Sequence, residues 1–292
     1  MTKINYKKIN YKKYFDKIYC INLNQRPERW ENCLAEFKKH NIKVERFSAI
    51  DGTKVEHYDN INIGAAGCFM SHLSIFKEMV KNNWSRVLIL EDDVVFAKDF
   101  SKRIPNILNN LPPSFDVVYL GASYVIKGKE INPFLSKVVS AGTTSSYIVS
   151  LEFANKFLEN YKEINCEIDV LFAKLQKKLN FFISNEPLIW QKEGFSDILN
   201  EEVSYESCMS KYYSYDDFSR DNYELYLLKE LYDKSNRAKI DAGLTLADTL
   251  SVIGRNEEAI LFLHEIEEIN NLLAYKKEDI KNRLISFAEN KD

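Results

Sequence analysis

Val87-Leu88-Ile89-Leu90-Glu91-Asp92-Asp93-Val94-Val95-Phe96 is the stretch on which the reading of this chain turns. Its four leading residues are apolar and uncharged, the signature of a buried strand in a parallel sheet. Three carboxylates follow where that strand ends. Open α/β sheets bind their ligands just beyond the carboxyl ends of strands. Adjacent negative charges repel one another unless something positive joins them. A hard divalent cation such as Mg²⁺ or Mn²⁺ takes carboxylate oxygens and supplies that charge. If strand geometry continues through the run, Glu91 and Asp93 point the same way and can face one ion. On composition alone, a solvated acidic turn accounts for the run as well.

The flanking sequence reads as α/β. Residues 17–23 form a first buried strand, and residues 24–26 a loop. Pro27 opens a helix, where its missing N–H costs nothing. Trp30, Leu34 and Phe37 recur at helical spacing to about His40, and residues 44–48 form a second strand stopped by Asp51-Gly52. This βαβ unit carries Arg26 and Arg29 towards the carboxyl end of its first strand. The small, flexible run 64–67 opens a helix expected over 68–83, with Phe69, Leu73, Phe76 and Val80 on one stripe. Downstream, residues 100–111 are helical and 116–120 form a strand. Residues 138–150 hold two β-rich runs around Gly142-Thr143-Thr144, a hairpin or a bend. Helices are expected over 152–161 and 170–179, and a short strand over 181–183, leading to Pro187-Leu188-Ile189-Trp190-Gln191.

The 292 residues are 45% hydrophobic with a net charge of −3. A sizeable core is expected, and there is no electrostatic case for nucleic acid. Six lysines against one aspartate mark residues 2–17. That start reads as a solvated tail, with peripheral contact at an anionic membrane as the alternative. No run of ~18 apolar residues occurs, so no transmembrane span is expected. Five widely spaced cysteines without a Cys-x-x-Cys argue against a disulfide framework or a zinc knuckle, and fit reduced thiols in a cytoplasmic protein.

The organisation expected is a main domain over residues 1–205, a polar linker over 206–222 and a helical extension over 223–292. Residues 242–253 and 257–269, around Gly254-Arg255-Asn256, read as an αα-hairpin similar to one tetratricopeptide unit. A single unit makes no stable array, so these helices should dock on the main domain or form a homodimer.

Six motifs now stand in order: Ile18-Tyr19-Cys20-Ile21-Asn22-Leu23 with Arg26-Pro27-Glu28-Arg29; Ala49-Ile50-Asp51-Gly52; Gly67-Cys68-Phe69-Met70-Ser71-His72; Leu88 to Asp93; Ile168-Asp169; and Pro187 to Gln191. Their order and spacing closely resemble the family-25 glycosyltransferases, over about residues 15 to 200. That family includes bacterial lipooligosaccharide galactosyltransferases and collagen hydroxylysine galactosyltransferases. The resemblance implies a GT-A type, Rossmann-like mixed sheet flanked by helices, here followed by a small C-terminal helical segment. It implies an inverting hexosyltransferase: Mn²⁺ (or Mg²⁺), a UDP-sugar donor of galactose, glucose or an N-acetylhexosamine, and a hydroxyl acceptor on a glycan or a hydroxylated protein.

Each motif residue has a functional and a plain reading. Asp93 and Glu91 resemble the family's metal ligands, with Asp92 on the ribose or the metal. Arg26 can grip phosphate bidentately, with Arg29 the weaker candidate; both also read as surface arginines. Asp51 can accept from uracil N3–H or make an Asx-turn. Gly67, Ser71 and His72 stand at an expected helix N-terminus, where free N–H groups favour an anion, and the resemblance puts them near sugar and phosphate. Asp169 is a helix N-cap, the general base that takes the acceptor's proton, or an anchor for acceptor or donor hydroxyls. Gln191 ligates the metal, bonds the donor or closes a turn. Thr143 and Thr144 line the acceptor side. Two other functions compete: a glycoside hydrolase using Asp93 and Asp169, and a catalytically degenerate binding or assembly module.

Overall fold

The computed structural model describes residues 9–55, 61–161, 164, 166–196, 201–203 and 212–214, then 243–244, 247–248, 250–251, 255–267 and 274–289. The chain divides into two compact units, residues 1–58 with 62–212 and residues 59–61 with 213–292. Apart from 212–214, the linker expected over 206–222 lies outside the described residues.

The first unit is built on a mixed sheet of six strands: β1 (Lys17–Asn22), β2 (Glu45–Ser48), β3 (Arg86–Glu91), β5 (Val117–Asn132), β6 (Leu135–Ser150) and β7 (Phe181–Ser184). Their spatial order is β5-β7-β6-β3-β1-β2, with β5 also paired to β6. β1 pairs in parallel with β2 and β3, while β3 and β6 are antiparallel. The start of β5 lies between the end of β6 and β7, and the start of β6 pairs with β7 as well. Two short strands, β4 (Val94–Phe96) and β8 (Ile189–Gln191), form a separate antiparallel ribbon. A second ribbon joins β9 (Gly194–Ser196) to β10 (Glu201–Val203). The sheet with its flanking helices is the mixed α/β arrangement expected.

β3 is central because its middle is apolar: Val87 to Leu90 are at most 1% exposed. Strand alternation sorts its side chains. Leu88 and Leu90 join a core with Phe37 of α1 (Pro27–Lys39), Phe96, and Phe100 and Ile104 of α3 (Phe100–Asn109). Opposite lies an aromatic layer of Phe76 from α2 (Ile63–Asn82), Phe153 and Phe157 from α4 (Leu151–Asn160), and Phe172 from α5 (Ile168–Gln176). The edge strand β2 exposes Glu45 and Arg46, charges that discourage pairing with another chain.

Three boundaries depart from the sequence reading. Helix α2 begins at Ile63, five residues before the expected 68, because Asn62 caps it: its Oδ1 accepts the Gly64 N–H at 2.8 Å. The runs expected over 116–120 and 138–150 belong to one long hairpin, β5–β6, with 16 residues in each strand. Thr143 is the bend within β6, at φ +62°. Finally, the strand ends at Glu91, and Asp92-Asp93 form a turn into β4. Strand alternation therefore reaches Glu91 but does not govern Asp93.

In the second unit, α6 (Asn256–Glu267) covers most of the later helix of the expected αα-hairpin. The earlier one, 242–253, is described at only six positions. Helix α7 (Ala274–Glu289) follows. Ala259, Leu263, Ile266, Ile280 and Phe287 are buried, and Arg283 bonds Asp248 at 2.9 and 3.0 Å. No helix among the described residues is long and apolar enough to cross a membrane.

Candidate functional site

The acidic turn sends its three carboxylates in three directions. Glu91, odd-numbered like Val87 and Ile89, faces the α2 side of the sheet. Its Oε1 accepts from Thr144 Oγ1 at 3.0 Å and lies 3.5 Å from His72 Nε2. His72 is fully buried on α2, and its Nδ1 is 2.7 Å from the Tyr147 hydroxyl. Cys68 stands one helical turn before His72. The Cys68 sulfur, a His72 ring nitrogen and a Glu91 oxygen all lie within 4.8 Å of one another.

Asp92 is held from the β1–α1 side. Its Oδ2 accepts from Asn22 Nδ2 at 2.6 Å and its Oδ1 from Arg29 at 3.1 Å, while its carbonyl accepts from Cys33 Sγ at 3.2 Å. Burial raises the Asp92 carboxyl above its ordinary range, and Asn22 and Arg29 oppose that rise. The structure thus brings Arg29, the weaker candidate from sequence, into the turn. The Arg26 side chain instead pairs with Glu28 at 3.4 Å. As the residue before the first turn of α1, Arg26 contributes its backbone carbonyl, which accepts from Asn22 at 3.0 Å.

Asp93 faces the β4–β8 ribbon. Its Oδ2 accepts from Gln191 Nε2 at 3.2 Å and its carbonyl from the Lys192 N–H at 2.6 Å. The residue is half-buried, but its Oδ1 is sealed from solvent and has no hydrogen-bond partner among the described residues. Burial, then the charges of Glu91 and Asp92, push this carboxyl up to about 7, against the pull of Arg29 and Gln191. Ionising it is unfavourable unless positive charge arrives.

Asp169 is not the N-cap of α5. Glu167 holds that position, and Asp169 sits in the first turn with its Oδ1 accepting from the Val170 N–H at 2.8 Å. It nonetheless belongs to the same neighbourhood. Burial raises the Cys68 thiol, and the charges of Glu91, Asp169, Asp93 and Asp92 raise it further. Four carboxylates therefore act on one thiol.

Gly67, Ser71 and Asp51 are arranged as a clamp. Ser71 Oγ donates to the Gly67 carbonyl at 2.7 Å and accepts from the Ile50 N–H at 2.8 Å. A Cβ on Gly67 would stand 2.6 Å from the Ile50 oxygen, so only glycine lets helix and loop meet this closely. Because α2 begins at Ile63, the N–H groups from Gly67 onward lie inside the helix. The expected anion site at a helix start is absent there. Asp51 makes the Asx-turn: its Oδ1 accepts from the Thr53 N–H at 3.0 Å and hydroxyl at 2.7 Å, which hold its carboxyl below the usual range.

Asn22 and Tyr147 were missed as contributors. A buried asparagine ending an apolar strand, only 1% exposed, is the signal that identifies the first. For Tyr147 the signal is its phase in β6, which only the register with β3 reveals.

Residues 15–172 match glycosyltransferase family 25, described as an LPS biosynthesis protein. The chain belongs to this family. It is similar to a glycosyltransferase 25 family member of Aedes aegypti, 32% identical over 167 residues, which are 49% of this chain and 28% of the relative. Human procollagen galactosyltransferase 2 is 28% identical over 171 residues, 49% of this chain and 27% of that protein. The human inactive glycosyltransferase 25 family member 3 is 31% identical over 170 residues, 49% of this chain and 29% of that protein. The match thus spans less than a third of each of these relatives. A solved structure of a glycosyltransferase involved in glycosylating the PBCV-1 major capsid covers 57% of this chain and 80% of its own, at 12% identity and TM-score 0.34.

Proposed function

We propose that this family-25 chain is a metal-dependent inverting glycosyltransferase that moves a hexose from a UDP-sugar to a hydroxyl of a glycan or protein. The observation that carries the reading is the acidic turn. It crowds Glu91, Asp92 and Asp93 at the end of β3, with Asp93 Oδ1 buried and unbonded among the described residues. A divalent cation fits that arrangement. Asp93 would hold it through the unbonded Oδ1, and when bound it supplies positive charge against the departing diphosphate.

The chain's own residues then have defined tasks. Arg29 and Asn22 fix Asp92, and Gln191 fixes Asp93, so the turn is organised before the donor arrives. The acceptor oxygen forms its bond to the anomeric carbon on the face opposite the breaking bond to the diphosphate, which leaves with the electron pair. Asp169 takes the acceptor's hydroxyl proton as that bond forms. Attack from the opposite face inverts the anomeric configuration. The procollagen galactosyltransferase among the relatives makes galactose the first sugar to try.

A second reading has its own support, since one relative of comparable identity is called inactive. In that reading the fold binds and does not transfer. One experiment separates them: UDP release from UDP-galactose, UDP-glucose and UDP-N-acetylglucosamine with Mn²⁺, with calorimetric UDP binding measured in parallel. Mn²⁺-dependent release supports transfer. Mn²⁺-dependent binding without release, across glycan and hydroxylysine-peptide acceptors, supports the binding module. Neither binding nor release overturns the proposal.

A further inference from the structure

Cys68, His72 and Glu91 have a different chemistry from the turn beside them. They offer one sulfur, one nitrogen and one oxygen, with the three donor atoms within 4.8 Å of one another. Cys68 and His72 share one face of α2 because residues four apart on a helix lie one above the other. Glu91 reaches them because it is the last residue of β3 and still obeys the strand's alternation. Asp93, in contrast, is bonded to Gln191 on β8.

His72 gives the independent sign of a ligand. The residue is fully buried, and its Nε2 makes no hydrogen bond among the described residues, although Glu91 Oε1 is 3.5 Å away. Its other nitrogen is engaged, with Nδ1 2.7 Å from the Tyr147 hydroxyl. When Nδ1–H donates to the Tyr147 oxygen, Nε2 presents its lone pair towards Cys68 and Glu91. Metal-binding histidines are oriented in this way, one nitrogen on the ion and the other held by a neighbouring oxygen.

We infer that Cys68, His72 and Glu91 form a transition-metal site of zinc type, with three protein ligands and a fourth position left for a small molecule. Tetrahedral zinc with bonds of about 2.0 to 2.3 Å puts its donors roughly 3.3 to 3.8 Å apart, so the triad closes with movements of about 1 Å. A thiolate with an imidazole favours zinc over the hard ions that suit carboxylates alone. Binding releases the Cys68 thiol proton to solvent. The dication, one thiolate and one carboxylate then sum to zero charge. The site ties Glu91 to α2 and stands whether or not the chain transfers a sugar.

The test uses the full-length protein, stripped with chelator and titrated with Co²⁺. The expected result is one equivalent bound, with tetrahedral visible bands and a thiolate-to-cobalt charge-transfer band, all displaced by equimolar Zn²⁺. Cys68→Ser should lose the charge-transfer band. Tyr147→Phe should keep it and weaken Co²⁺ binding ~10- to 100-fold, as loss of an orienting partner does. Asp93→Asn should keep the cobalt spectrum while losing Mn²⁺-dependent UDP binding, so failure here and failure of the transfer reading are distinguishable. If Cys68→Ser does not fold, alkylation of the wild type followed by mass spectrometry decides: Zn²⁺ must protect Cys68. Absence of stoichiometric Co²⁺ binding, a charge-transfer band that persists in folded Cys68→Ser, or no protection of Cys68 each overturns the site.

Discussion

The buried carboxyl of Asp93 makes a quantitative prediction for the metal-free protein. Burial first, then Glu91 and Asp92, raise it from 3.8 to about 7 in the folded state. Between those values the folded chain holds a proton that the unfolded chain has released. Stability therefore falls as pH rises through that window, and the loss is complete above about 7. From pH 5 to pH 8, the loss attributable to Asp93 is about 2 to 3 kcal/mol. For a protein of this size that is a fall in Tm of ~5 to 10 °C. Asp93→Asn cannot titrate and removes this fall. It keeps an oxygen for Gln191 and puts an amide where the buried Oδ1 stood, at a cost of roughly 1 to 3 kcal/mol if unmatched. That cost is the same at both pH values, so the difference between them isolates the charge. The assay is urea or thermal unfolding of wild type and Asp93→Asn at pH 5 and pH 8 in chelator. Excess Mn²⁺ at pH 8 should recover much of the lost wild-type stability and do little for the variant. Equal pH dependence in the two proteins would refute the argument.

Asp169→Asn leaves Glu167 at the N-cap position of α5 unchanged and should cost under ~1 kcal/mol of stability, the scale of a first-turn carboxylate on the helix dipole. If Asp169 is the base, kcat falls at least ~100-fold with UDP-sugar affinity unchanged; near-normal turnover sends the search for the base elsewhere. Gly67→Ala should destabilise by ~1 to 3 kcal/mol, since its methyl must push aside the Ile50 carbonyl. A wild-type melting temperature in that variant would show that the clamp between α2 and the Asp51 loop is slack.

Much of the fold was legible because local signals and burial agree. The uncharged run 87–90 could only be an interior strand, Pro27 marked the start of α1, and the carboxylates at the strand end marked the candidate site. The β5–β6 hairpin was illegible for a physical reason. Gly121, Gly128, Lys127, Lys129, Glu130 and Asn132 are residue types depleted in strands. They are strand because they pair, through repeated register shifts, with a partner strand. The start of α2 turned on one cap, Asn62, placed before glycines that in isolation signal flexibility.

In the candidate site, sequence alone determined which residue types were at hand: three consecutive carboxylates, a cysteine and a histidine four apart, two arginines beside a strand end. It could not determine which of them meet. Arg29 and not Arg26 reaches Asp92, because α1 turns that side chain towards the strand and leaves Arg26 in the entry to the helix. Glu91 meets His72 while Asp93 meets Gln191, because the strand stops between them and alternation stops with it. Types and spacings are local properties, carried by the chain itself. Convergence depends on strand phase, helix rotation and register, and these are settled only when the apolar faces of sheet and helices close on one another.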